Sequence, residues 1–235
     1  MSTRASISWA ALLLGVVLAP PLRAADRPAV LPDSMEQRLL ACTSCHARKD
    51  ASDRFFPRIA GKPAGYLYNQ LINFREGRRT YPLMTYMVNH LPDTYLHEIA
   101  DYFSGEHLPA PAPQPANVSA ATFERGRLLA TQGDAAIKVP ACVSCHGQQL
   151  TGVAPAIPGL LGLPRDYVNA QFGAWKNKVR RAHAPDCMGA VAERLSLADV
   201  AAVSAWLGAQ PLPADPRPAT AVTRPLPLQC GSSPD

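Results

Sequence analysis

The stretch Ala41-Cys42-Thr43-Ser44-Cys45-His46 returns one hundred positions later as Ala141-Cys142-Val143-Ser144-Cys145-His146. The echo extends well beyond the cysteines. Pro57, Gly61, Pro63, Tyr66, Gln70 and Phe74 align with Pro158, Gly162, Pro164, Tyr167, Gln171 and Trp175, and Met84 with Met188. The offset drifts from 100 to 101 to 104, as short loop insertions would make it. A repeat of about 100 residues is the size of a small domain, so the chain reads as a duplication.

A Cys pair two residues apart serves three chemistries. A zinc site needs four ligands. Each copy offers Cys, Cys and His, and no fourth Cys or His falls at matching places. A redox dithiol needs no His after the second Cys, and it normally sits in an α/β setting. Covalent haem uses all three residues. Two sulfurs add to the two vinyl groups, and the adjacent imidazole reaches the iron. Cys42, Cys45 and His46, with Cys142, Cys145 and His146, therefore predict two covalently bound haems c.

A second axial ligand has to come from elsewhere. Met84 and Met188 each stand seven residues before a Leu, Leu91 and Leu195, that is expected to open the last helix. Met87 falls opposite Val191 and Met35 has no counterpart, so both read as packing. His90, His97, His107 and His183 are likewise unmatched by a His in the other copy. Met84 and Met188 are the expected ligands. His/Met ligation raises the potential and closes the iron to outside ligands. Pro57 and Pro158 follow the ligand His by 11 and 12 residues. A carbonyl there can accept the other ring N–H and fix the imidazole. Tyr66 and Tyr167, or Arg75 and Lys176, are candidates for the haem propionates, with solvated surface as the alternative.

The patterning predicts helices and no convincing strand. Apolar spacing marks 93–105 and 196–208, with Asp93 as a cap of the first and a Ser196/Asp199 capping box on the second. Amphipathic helices are expected over 64–77 and 165–178, and helical segments before each Cys motif. Residues 1–24 read as an export signal: Arg4, a short apolar run, then small residues. That run is far below the roughly 20 residues a spanning helix needs. An uncleaved anchor is the alternative. Cleavage after Ala24 removes Arg4 and Arg23 and leaves a net charge of +3 from +5. That is weak support for a nucleic-acid or membrane partner. The expected domains are 30–107 and 119–209, joined by a Pro-rich linker over 108–118 and followed by a Pro-rich tail over 210–235. Prolines at 109, 111, 113 and 115 give the linker extended, semi-rigid geometry.

The paired Cys-x-x-Cys-His motifs, the Pro-x-x-x-Gly-x-x-x-x-Tyr segments and the following Met and helix together resemble dihaem cytochrome c4 and its relatives. The resemblance covers residues 34–209. It implies an all-α chain of two class I cytochrome c domains related by a pseudo-twofold, and His/Met ligation at both irons. It also implies a periplasmic electron carrier between partners of a respiratory chain, such as a membrane cytochrome complex or terminal oxidase. The similar dihaem subunit of a sulfide dehydrogenase implies the alternative, an electron-accepting subunit of a periplasmic dehydrogenase of the sulfide or thiosulfate oxidation type. No small-molecule substrate or nucleic acid is expected. The chain departs from the family in a short helix before Cys42 and in its extra tail. Cys187 and Cys230 are left over. In an oxidising space they are expected to pair; the alternative is that Cys187 competes with Met188 for iron. "FREGRR" and "KNKVRRAH" are candidate docking patches for acidic partners.

Overall fold

The structure, a computed structural model, describes residues 33–46 and 55–233. The export signal and its cleavage point lie outside them. None of the described helices is long and apolar enough to cross a membrane.

Each half is built around its own apolar core. In the first, α1 (Met35–Arg38) and α2 (Leu40–His46) deliver the Cys motif, followed by α3 (Ala64–Arg75), α4 (Pro82–Val88) and α5 (Asp93–Gly105). Leu67, Ile72, Phe74, Leu96, Ile99 and Phe103 form its buried centre. In the second half, α6 (Ala120–Thr131) precedes the motif helix α7 (Val143–His146). Then come α8 (Arg165–Lys176), α9 (Cys187–Arg194) and α10 (Leu197–Gly208). Leu129, Val168, Phe172, Val203 and Leu207 belong to its core.

Local chemistry sets several of these boundaries. Ser196 accepts from the Asp199 N–H while Asp199 accepts from the Ser196 N–H, the expected capping box. Asp199 also takes Arg125 Nε at 2.7 Å, which ties α6 to α10. At Gly126 the two helices touch: a Cβ there would stand 2.1 Å from the Ala202 carbonyl oxygen. Glycine is what lets the backbones approach.

Three expectations need correction. Pro92, not Asp93, holds the N-cap position of α5. Asp93 is the first helical residue, and its carboxylate takes Arg75 Nη2 at 2.6 Å. A two-stranded antiparallel hairpin, β1 (Gly152–Val153) with β2 (Ile157–Pro158), was invisible because two residues per strand leave no alternation to read. Finally, Leu91 and Leu195 do not open the last helices: they stand two residues ahead of α5 and α10, after the short helices α4 and α9 that carry Met84 and Met188.

The linker has no regular structure over 106–118 and lies along the surface. Arg58 donates to the Leu108 and Pro109 carbonyls, Gln114 N–H to Gly208 O, and Arg165 Nη1 to Ala116 O. Chain from both halves thus holds it.

The halves meet through equivalent residues. Arg79 and Arg180 form an antiparallel bridge, flanked by Thr80 N–H to Val179 O and Arg181 N–H to Arg78 O. Their numbers differ by 101, the repeat offset in this region. A contact that sets a residue against its own equivalent is what an isologous twofold interface requires.

Candidate functional site: paired imidazoles beside apolar cavities

The two motif histidines are held alike. His46 Nδ1–H donates to Pro57 O at 2.9 Å, and His146 Nδ1–H to Pro158 O at 2.7 Å. With Nδ1 committed, Nε2 is the nitrogen left with a lone pair to offer a metal. Burial pushes both imidazoles below the ordinary histidine range, so each is held neutral. Each ring edges a cavity. The first is also lined by Cys42, Cys45, Leu67, Phe74, Met84 and Met87; the second by Cys142, Cys145, Phe172, Trp175, Met188 and Val191. Val191 takes the place of Met87, and each packs against the core of its own half.

The thiols are unlike those of a redox dithiol. Burial pushes the Cys142 thiol up to about 11 and raises Cys42 as well. Dithiol catalysts depress theirs. Among the described residues, no group of three or more His, Cys, Asp or Glu could hold a metal ion unaided. A metal here requires a scaffold of its own, and a flat apolar macrocycle fits a cavity lined by Phe, Leu, Trp and Met.

Where the two cavities converge stands a cluster of which the sequence reading had only Tyr66 and Tyr167. Arg180 is 6% exposed and lines both cavities, as do Tyr66, Gln70, Tyr167 and Gln171. Arg79 donates to Gln70 Oε1 at 3.0 Å, Gln171 Oε1 at 2.8 Å and Tyr167 Oη at 3.0 Å. Arg180 donates to Gln171 Oε1 at 2.7 Å and Gln70 Oε1 at 3.2 Å. Arg79 lies over the Phe74 ring at 4.5 Å and Arg180 over Trp175 at 3.9 Å. Burial, then the neighbouring Arg79 charge, lowers the Arg180 guanidinium from its usual range. No carboxylate among the described residues pairs with either arginine. A buried cation with neutral partners, here Arg180 with the half-buried Arg79 beside it, is costly unless an anion joins it. The carboxylates of a haem edge fit that need. The signal lay in the repeat: Gln70/Gln171 and Arg79/Arg180 fall in step, yet the arginines read as parts of charge runs.

The other candidates resolve differently. Arg75 Nη1 donates to Leu91 O at 2.9 Å, and Lys176 Nζ to Leu195 O. These equivalent cations staple loop carbonyls and line neither cavity. The expected docking patches are divided: Arg79 and Arg180 are at the junction, Arg78 bridges Glu76 at 2.6 Å, and Lys178, paired with Glu193, stays exposed with Arg181. Lys62 Nζ donates across the halves to Gly159 O at 3.0 Å, and burial pulls its ammonium down to about 8. His97 stacks on Tyr68 and His183 Nε2 meets Arg78 at 3.0 Å; neither lines a cavity. Cys187 and Cys230 form a disulfide.

No protein-family profile matches the chain. A thiosulfate dehydrogenase electron acceptor of Thiomonas intermedia is 37% identical over 175 residues, 73% of this chain and 79% of that one. A cytochrome c4 of Pseudomonas aeruginosa is 30% identical over 73% of this chain and 85% of its own. Among solved structures, reduced cytochrome c4 from Pseudomonas stutzeri matches with a TM-score of 0.61 at 27% identity, over 74% of this chain and 95% of that one. The thiosulfate dehydrogenase TsdBA of Marichromatium purpuratum matches at 0.65 with 33% identity, over 73% of this chain. Only 36% of that longer protein is covered. By sequence and by fold, the chain belongs to the cytochrome c4 family: haem c proteins built of class I cytochrome domains, which transfer electrons rather than catalyse a reaction.

Proposed function

We propose that this electron carrier holds two haems c, one per half, and works in the periplasm as the electron acceptor of a thiosulfate-oxidising dehydrogenase. Cys42, Cys45 and His46 would hold one haem with Met84, and Cys142, Cys145 and His146 the other with Met188. Arg79 and Arg180, with Tyr66, Tyr167 and both glutamines, would receive the propionates. When bound, each haem supplies a one-electron Fe(III)/Fe(II) couple. The chain's part is to fix the imidazoles through Pro57 and Pro158, keep water from the irons with apolar walls, and offset propionate charge at the junction.

The repeated imidazole-to-proline contact carries this reading, because it orients both histidines for a metal in the same way. Two relatives named as thiosulfate dehydrogenase electron acceptors, at 37% and 35% identity, support the choice of donor. Cytochrome c4 relatives at about the same coverage support the second reading, a general respiratory carrier with a different donor.

The test uses holoprotein matured in a host that attaches haem c. Iron and haem content should give two per chain, and anaerobic titration two one-electron waves. The near-infrared band of sulfur-ligated ferric haem should count two methionines. One iron per chain, or colourless protein, sinks the haem assignment. Thiosulfate with a thiosulfate dehydrogenase should then reduce the protein rapidly. Failure there, with normal reduction by a membrane cytochrome complex, selects the general carrier. Fractionation of the native host separates periplasmic from membrane-anchored protein.

A further inference from the structure

After α10 the chain runs back over the second half. Ala219 lies beside β1: its N–H donates to Gly152 O at 3.0 Å, and its carbonyl accepts from Ala154 N–H at 2.7 Å. Farther along, Leu226, Leu228, Cys230, Ser232 and Ser233 line the second cavity, the one that Met188 also lines. Three consecutive residues then anchor the strap. Cys230 is bonded to Cys187, the first residue of α9. Gly231 N–H donates to Pro185 O at 3.0 Å, and a Cβ on Gly231 would stand 2.1 Å from Ala184 O. Ser232 O accepts from Asn69 Nδ2, on α3 of the first half, at 2.9 Å.

The repeat supplies the contrast. At the offset of 104, Cys187 matches Leu83, the neighbour of Met84. Leu83 is 49% exposed and Tyr86, on the same helix, 78%. The first half keeps α4 in place by other means: Pro82 opens the helix, and Thr85 Oγ1 donates to Phe74 O at 3.3 Å. Met188 has the strap instead, bonded to the residue immediately before it.

We propose that Cys230 is a positioning residue: through Cys187 it fixes the start of α9 and holds Met188 toward the second haem, so that ligation of this haem alone depends on the tail. A strap bound at 185, 187 and Asn69 stops α9 from opening locally, and local opening is what releases a ligand. The inference rests on the reading of Met188 as a ligand.

The test compares the parent holoprotein with the Cys187→Ser/Cys230→Ser double variant, which leaves no free thiol to seek the iron. Met188→Ala supplies the reference spectrum of an open second haem. Expected for the parent are two sulfur-ligated bands and negligible carbon monoxide uptake by the reduced protein. In the double variant one band should fade to the Met188→Ala level, carbon monoxide uptake should rise to about one per chain, and one wave of the titration should move while the other stays. Two full bands and unchanged potentials in the double variant overturn the strap and leave the ligand reading intact. A parent lacking the second band overturns both. Should the double variant fail to accumulate, the parent treated with a small dithiol reductant and alkylated under native conditions gives the same readouts and is judged the same way.

Discussion

In the first half, Leu83 lies exposed beside Met84 and the surrounding cavity measures about 630 Å³; in the second, the equivalent Cys187 is bridged to the tail and the cavity measures about 190 Å³. The supports differ as much as the cavities. A twelve-residue α6 crosses α10 in the second half, whereas α1 and α2 before His46 are four and seven residues long. The second half also has a hairpin. Yet the imidazole-to-proline contact, the methionine on a short helix and the Arg–Gln–aromatic set recur at equivalent places. Groups that touch the cofactor position are held in register by chemistry, while the scaffold behind them needs only to be rigid. Among the described residues the two cavities are also unequally covered. Phe55, Tyr81 and Leu83 line the first cavity with 44–63% of their surface exposed, whereas Leu226 and Leu228 lie over the second.

The severest attack on the comparison is to delete one ligand at a time. His46→Ala should lose the first haem and His146→Ala the second, each halving the iron content while the partner haem keeps its potential within small shifts. Loss of both haems from a single change would show that the halves do not mature independently. Next in size is Gly126→Val, which drives a side chain into the Ala202 carbonyl where α6 and α10 cross. We expect it to cost about 3 kcal/mol, as overpacking does, and to lower the melting transition of the second half in calorimetry. An unchanged transition would mean that the crossing can relax.

Smaller, and more diagnostic, is the junction. Removing one positive charge disfavours the electron-rich reduced state, so Arg180→Gln should lower the potentials. The size expected is roughly 40 mV, or about 1 kcal/mol per electron. Because Arg180 lines both cavities, both waves of a redox titration should fall. A shift in one wave only would make each arginine the servant of its own half. The smallest effect is expected at the exposed apolar patch. Tyr86→Ser should leave stability within about 0.5 kcal/mol and both potentials unmoved. A large loss in thermal denaturation would reveal packing that its exposure does not suggest.

Much of the site was legible before any coordinates. The doubled Cys-x-x-Cys-His, the prolines that follow it and the matched methionines are local signals at fixed spacing. The Ser196/Asp199 box and the long helices α3, α5, α8 and α10 follow from patterns within one or two turns. What stayed hidden was non-local. Arg79 and Arg180 were parts of two basic runs, and a basic run on a sequence looks solvated. Nothing within ten residues of either announces that each shares its glutamines with the other across an interface.

The sequence by itself therefore determined the duplication and the haem c chemistry, because covalent attachment demands particular atoms at short, fixed separations. The tertiary structure alone decided which charges are buried, which side chains hold the carbonyls of the tail and linker, and which cavity is strapped. Those outcomes depend on bringing together residues 43 to 163 positions apart. Only the packed chain specifies what each side chain loses in water and gains in a partner.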